Sequence, residues 1–215
     1  MRYVHPRNFL FDQVPVSLQQ VVPTVLSTAY KAVRRIVSDE PIFQTTSARQ
    51  NLGRMMSWSV DRGFEQAIEN GALPFDYSWE DFDRPTGKFL AIRPSHSVVT
   101  ISLTSTPTKQ PRTVVFREQA KRLNCQLDWV DMQDEDHEIT GLPHILLLHG
   151  YWNDGFAHLA IPRADCNYDF SYRTENLFNL PHASSEAGPP PEGPDGDFDA
   201  IELLKEDIDR WRKDQ

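Results

Sequence analysis

Apolar positions recur with a helical period in two segments near the N-terminus. The first segment spans residues 23–37 and opens on a proline, which fits the first turn of a helix. The second spans residues 47–70, opens on a capping box formed by Ser47 and Gln50, and ends on Asn-Gly. We therefore predict two amphipathic helices, preceded by an extended arm over residues 1–15.

The pattern then changes to alternation of apolar and polar positions. Residues 88–93, 97–104 and 112–117 are rich in Val, Ile and Thr, and residues 125–130 form a possible fourth segment of this kind. Such segments are typical of strands. The aromatic connection at residues 73–85 is expected to lie on the sheet, because so many rings would not remain in water.

The clearest local signal is a hairpin over residues 143–162, where two apolar runs flank Asn-Asp-Gly at residues 153–155. A two-residue turn at the Asn-Asp pair would set His149 opposite His158. Moving the turn by one residue would set His158 opposite Tyr151 and would separate the two histidines. In the first register, one face of the hairpin carries Leu146, Leu148, Leu159 and Ile161.

Together these patterns predict an α+β fold. Two N-terminal helices would pack on one face of a mainly antiparallel meander of five or six strands. The globular domain is assigned to residues 1–182. Residues 183–197 have the Pro/Gly-rich composition of a disordered linker, and residues 198–215 are predicted to form a tethered acidic helix.

The C-terminal segment carries a narrow apolar stripe. Four of its large apolar residues are spaced by three, four and three positions, so these four share one side of a helix. They are Ile201, Leu204, Ile208 and Trp211. A helix of this length is marginal alone in water, so the stripe needs a groove on its own domain or on another protein. We predict a partner-binding helix, as used by inhibitor-like and antitoxin-like proteins.

Charge is divided unevenly along the 215 residues, whose net charge is −9. Residues 1–127 carry an excess of Lys and Arg, whereas residues 128–215 are strongly acidic. Within the basic part, Lys109 and Arg112 lie in a predicted loop and are free to reach a phosphate. The alternatives are an ordinary solvated rim or pairing with the acidic loop at residues 134–136.

Further features limit the class of protein. The sequence has no apolar run long enough to cross a membrane, no signal-peptide core, and two cysteines that do not form a disulfide framework. These features predict a cytoplasmic protein. The common phosphate-loop, dinucleotide, zinc-protease and serine-hydrolase motifs do not occur.

A metal site is the alternative interpretation of the hairpin. His149 and His158, with Asp165 just beyond the second strand, would suit zinc or another divalent metal. The simpler interpretation is two hydrogen-bonded histidines on a half-buried sheet face. A weaker hypothesis makes Cys166 a nucleophile with His158 as its base.

We therefore expect a non-enzymatic regulatory or complex-subunit protein, without a cofactor, that binds a partner protein through its acidic C-terminal helix. The alternative is a metal-dependent protein that binds or processes nucleic acid, using the 143–162 hairpin and the basic 84–122 region. The sequence does not fix the oligomeric state.

Overall fold

The structure is a computed structural model that describes residues 5–82, 87–124, 142–150 and 155–181. It has the predicted α+β architecture, in which N-terminal helices precede a six-stranded sheet among these residues. The predicted linker and C-terminal helix, the possible strand at 125–130 and the acidic loop lie outside the described residues.

The helical layer contains two long helices joined by short ones. Its elements are α1 (Pro6–Gln13), α2 (Val16–Gln19), α3 (Val21–Asp39), a 3₁₀ turn (Pro41–Gln44), α4 (Thr46–Gln50) and α5 (Leu52–Glu69). Helices α3 and α5 pack closely, since a Cβ at Gly63 would lie 3.0 Å from a methyl group of Val25. The Ser59 hydroxyl donates to the Ala29 carbonyl at 3.0 Å across the same contact.

Two predictions about the helical layer are wrong. The expected extended arm contains α1, which opens with Pro6 and is capped by His5, whose Nδ1 accepts from the Arg7 N–H at 3.2 Å. The single helix predicted over residues 47–70 is divided at Asn51. The N-terminal cap is Thr45 rather than Ser47, because the Thr45 hydroxyl accepts from the Ala48 N–H.

The sheet contains β1 (Asp76–Asp81), β2 (Lys88–Arg93), β3 (Val98–Thr104), β4 (His144–Gly150), β5 (Ala157–Pro162) and β6 (Phe170–Arg173), in that spatial order. A 3₁₀ turn at Leu177–Asn179 follows β6. All neighbouring strands are antiparallel except β3 and β4, which are parallel. The aromatic connection does join the sheet, as the edge strand β1.

The strand predicted at residues 112–117 is wrong. This part of the chain forms α6 (Val115–Arg122), which belongs to the crossover that a parallel β3–β4 pair requires. The segment after Phe116 consists of strong helix formers, and Glu118 pairs with Lys121 one turn later. These local preferences outweigh the two valines that favoured a strand.

The two faces of the sheet have different chemistry. We call one the apolar face; it packs on the helices and carries Leu90, Ile92, Val99, Ile145, Leu147, Leu159 and Ile161. We call the other the mixed face; it carries Thr100, Ser102, His144, Leu146, Leu148, His158 and Ala160. Helix α6 lies on the mixed face, where the Phe116 ring stacks on Phe89 with centroids 4.4 Å apart.

Candidate functional site

The predicted pair of histidines is not formed. Strand β4 pairs with β5 so that His149 lies opposite Ala157, and His158 lies opposite Leu148. The two imidazoles are therefore on opposite faces of the sheet, because directly paired residues share a face. The predicted face of four apolar residues divides in the same way: Leu146 and Leu148 lie on the mixed face, and Leu159 and Ile161 on the apolar face.

The register follows from Gly150 rather than from the Asn-Asp-Gly turn. The Gly150 N–H donates to the Phe156 carbonyl at 3.1 Å, so five residues connect the strands instead of two. A Cβ on Gly150 would lie 2.3 Å from the Phe156 ring. A glycine inside a strand often marks such a close approach, and this was the signal that could have indicated the register.

His149 is buried on the apolar face beside α3. Its Nδ1 lies 2.6 Å from the Tyr30 hydroxyl, which also donates to the Gly150 carbonyl at 3.0 Å. The hydroxyl has one proton, so both contacts form together when His149 carries its proton on Nδ1. Burial lowers the pKa of His149 to about 4, and its Nε2 has no partner among the described residues. This environment keeps the ring neutral.

His158, Asp165 and Cys166 do not form a site with His149. The His158 Nδ1 bonds the Thr174 carbonyl at 2.9 Å, and Asp165 is an exposed residue paired with Arg163 at 2.6 Å. The described residues contain no group of three or more His, Cys, Asp or Glu side chains that could hold a metal ion. The simpler interpretation holds in part: each histidine has a hydrogen bond, but the two rings lie on opposite faces of the sheet and His149 is fully buried.

Part of the basic region, by contrast, lines one cavity. Arg112 lines a small cavity between α6 and the start of β4, together with Arg117, Lys121 and His144. Lys109 is exposed in the preceding loop and is not part of the lining. The cavity lies on the mixed face and has a volume of about 10 Å³. Of the two predicted phosphate-contacting residues, the structure therefore brings one to a cluster of cations.

His144 forms the floor of this cavity and is almost fully buried, with 1% of its surface exposed. Its Nε2 lies 2.8 Å from the Thr100 hydroxyl on β3, whereas its Nδ1 has no partner among the described residues. Burial, and secondarily the charge of Arg117, lowers the pKa of His144 to about 3. The ring is therefore neutral at physiological pH.

Arg117 closes the cavity from α6. Its Nη1 donates to the Arg112 carbonyl at 3.0 Å and its guanidinium lies 5.1 Å from the centre of the Phe116 ring. Its Nε is shielded from solvent and has no partner among the described residues. Burial lowers the pKa of Arg117 to about 10, so the side chain still carries its charge at neutral pH.

The neighbouring groups hold α6 in place. Lys121 is buried, pairs with Glu118 at 2.9 Å, and donates to the Asn167 side chain. Asn124, also buried, accepts from the His144 N–H at 2.6 Å. The Asn124 amide also donates to the carbonyls of His144 at 3.0 Å and Pro162 at 2.9 Å. This side chain therefore fixes the C-terminal end of α6 to both β4 and β5.

Sequence reasoning missed His144, Arg117 and Asn124. His144 lies at the start of the predicted hairpin, next to a proline and just before its first apolar run, and Arg117 was assigned to a strand. The available signal was the run of helix formers after Phe116, which would have placed a cationic helix over the sheet. The predicted partner-binding residues Ile201, Leu204, Ile208 and Trp211 lie outside the described residues.

Comparisons with known proteins give no further information: no protein-family model, no curated protein and no solved structure matches the chain. No helix in the described ranges has the length and apolar character needed to cross a membrane.

Proposed function

We propose that the protein is a non-enzymatic regulatory or complex-subunit protein that binds a partner protein through residues 198–215. The observation that carries this proposal is the apolar stripe in that segment, spaced by three, four and three positions. On an acidic helix such a stripe fits the groove of another protein. A cytoplasmic location is part of the same proposal.

The described domain supports the proposal because its own helices already cover the apolar face of the sheet. Leu10 of α1, Leu26 of α3 and Phe64 of α5 are all buried in one cluster with the strands. The apolar stripe is therefore not required to close this part of the core.

The test is a deletion of residues 198–215. Partner capture should be lost, while the unfolding midpoint of the domain stays nearly unchanged. In the full chain, Trp211→Ala should reduce the free energy of binding to the partner by at least about 2 kcal/mol, since a buried Trp is a typical hot spot. Glu206→Ala, on the opposite side of the predicted helix, is the matched control and should have little effect. Destabilisation of the domain by several kcal/mol on deletion would instead assign the segment to its own core.

Nucleic-acid binding is a second candidate, favoured by the position of Arg112 in a cluster of cations. His149 and His158 lie on opposite faces of the sheet, so they do not bind one metal ion together. What remains of this candidate is contact between basic side chains and the phosphates of a nucleic acid. Replacing Lys109 and Arg112 by alanine should lower affinity for a single-stranded oligonucleotide. The slope of log affinity against log salt should fall by about 0.7 per lost phosphate contact. An unchanged slope would remove this candidate.

A further inference from the structure

The cavity on the mixed face is lined by Arg117 and His144, and each of these residues has a buried nitrogen without a partner among the described residues. The Arg117 Nε–H is a donor in every protonation state, and it has no partner among the described residues. The Nδ1 of His144 is equally shielded and also unpaired there. Buried polar groups are nearly always hydrogen-bonded, so two unpaired nitrogens in one cavity indicate an occupant.

The hydrogen bond between Thr100 and His144 is compatible with a bound group that accepts a hydrogen bond from the His144 Nδ1. The Thr100 hydroxyl can donate to the His144 Nε2 at 2.8 Å. In that tautomer Nδ1 carries the proton, and the neutral ring donates into the cavity. Arg117 and His144, which both line the cavity, then each have an N–H group without an acceptor, and an oxyanion could accept from both.

The charge of the cavity favours an anion over a water molecule. Arg117 is partly buried and forms no ion pair with a carboxylate of the described residues. Lys121 and Glu118 neutralise each other, so Arg112 and Arg117 leave an excess of positive charge. A buried charge is costly unless it is paired, and a water molecule would leave the guanidinium unpaired.

The size of the cavity limits what can enter. A volume of about 10 Å³ is close to the space that one water-sized atom needs. We propose that this cavity binds one oxygen of a small oxyanion of the phosphate or phosphate-monoester class. Arg117 and His144 donate to that oxygen, and the exposed Arg112 at the mouth faces the remaining oxygens. This inference does not depend on the proposed role of residues 198–215.

The test is a calorimetric titration of the full chain with inorganic phosphate at pH 7, at constant ionic strength set with sodium chloride. We expect saturable binding at one site. Arg117→Met should weaken phosphate binding by about tenfold or more, because it removes a charge-assisted hydrogen bond. Arg122→Met, an exposed position on the same helix, removes the same charge outside the cavity and should change the affinity by less than about twofold.

Two further measurements separate the outcomes. Arg117→Lys keeps the charge but lacks Nε–H, so it should bind phosphate more weakly than the wild type. Nitrogen NMR of the wild type should show proton occupancy on the His144 Nδ1 and a phosphate-dependent shift there but not at His149, even if the Arg117 variants fail to fold. Equal effects of phosphate and chloride, or equal effects of Arg117→Met and Arg122→Met, would overturn the proposal. The same titration with phenyl phosphate tests phosphate monoesters, and its affinity should be similar to that of inorganic phosphate if the site accepts a monoester.

Discussion

The apolar face and the mixed face of the sheet are closed in different ways. On the apolar face, one buried apolar cluster joins helices and strands; its members include Val33, Phe64, Ile145 and Leu159. On the mixed face, the apolar cluster is small, and buried polar groups such as His144, Thr100 and Ser102 take its place. Burial of carbon stabilises without directional requirements, whereas each buried polar group needs a partner.

This difference indicates that the two faces of the sheet have different roles, the apolar face in stability and the mixed face in binding. The apolar face closes mainly through side-chain packing, and the buried Nε2 of His149 is the atom there that has no partner among the described residues. The mixed face retains unpaired atoms at His144, Arg117 and Ser102 among the described residues. Such atoms are uncommon in native proteins, and they make the mixed face the part of the described structure where a ligand would be expected.

The largest expected effect is a loss of stability when a core side chain of the apolar face is truncated. Phe64 on α5 is 2% exposed, and Phe64→Ala should lower the free energy of unfolding by about 3–5 kcal/mol through lost burial and the cavity left behind. Denaturant unfolding measures the change. Trp58→Ala on the same helix is the control, because Trp58 is 62% exposed and its loss should have a small effect. Equal effects of the two substitutions would mean that the core is not organised around this face.

Local patterns predicted most of the fold, because the period of the side chains is a property of each segment alone. The helical period located α3 and α5, and alternation located β2 and β3. The pairing of β4 with β5 was wrong by one residue, since it depends on how the Phe156 ring packs on Gly150. The parallel β3–β4 pair was also missed, because strand direction is set by the crossover rather than by any local pattern.

The candidate site was harder to predict than the fold. The two histidines of the hairpin were recognised by their symmetry about the turn, and a shift of one residue moved them to opposite faces. Arg112 was identified from charge alone, but its neighbours Arg117 and His144 come from segments about 30 residues apart. Only tertiary packing brings such residues to one cavity.

An intermediate effect is expected at Asp61, a carboxylic acid on helix α5. Burial, and secondarily the charge of Glu65, raises the pKa of Asp61 from its ordinary 3.8 to about 7. Its contribution to stability is full below pH 3.8, declines as the pH rises towards 7, and stays at its minimum above. The free-energy advantage of Asp61→Asn over the wild type should therefore be larger at pH 8 than at pH 5, by about 1–2 kcal/mol.

The comparison between two pH values removes effects that do not involve this carboxyl. Histidine titration, including that of His149, occurs in both proteins and cancels in the difference between them. Urea unfolding of wild type and variant at the two pH values supplies the measurement. Parallel pH profiles of the two proteins would show that the pKa of Asp61 is not raised in the folded protein.

The smallest expected effect is on the mixed face, at Ser102. Its hydroxyl is buried and has no partner among the described residues. Ser102→Ala therefore removes a polar group that forms no stabilising hydrogen bond with them. The free energy of unfolding should change by less than about 0.5 kcal/mol, or rise slightly. Thr100→Val on the same strand is the matched control. It removes the hydroxyl that lies 2.8 Å from the His144 Nε2, and should lower stability by about 1–3 kcal/mol. If Ser102→Ala destabilised the protein as much as Thr100→Val, the Ser102 hydroxyl would have a partner in solution, and it would no longer count among the unpaired atoms that distinguish the mixed face.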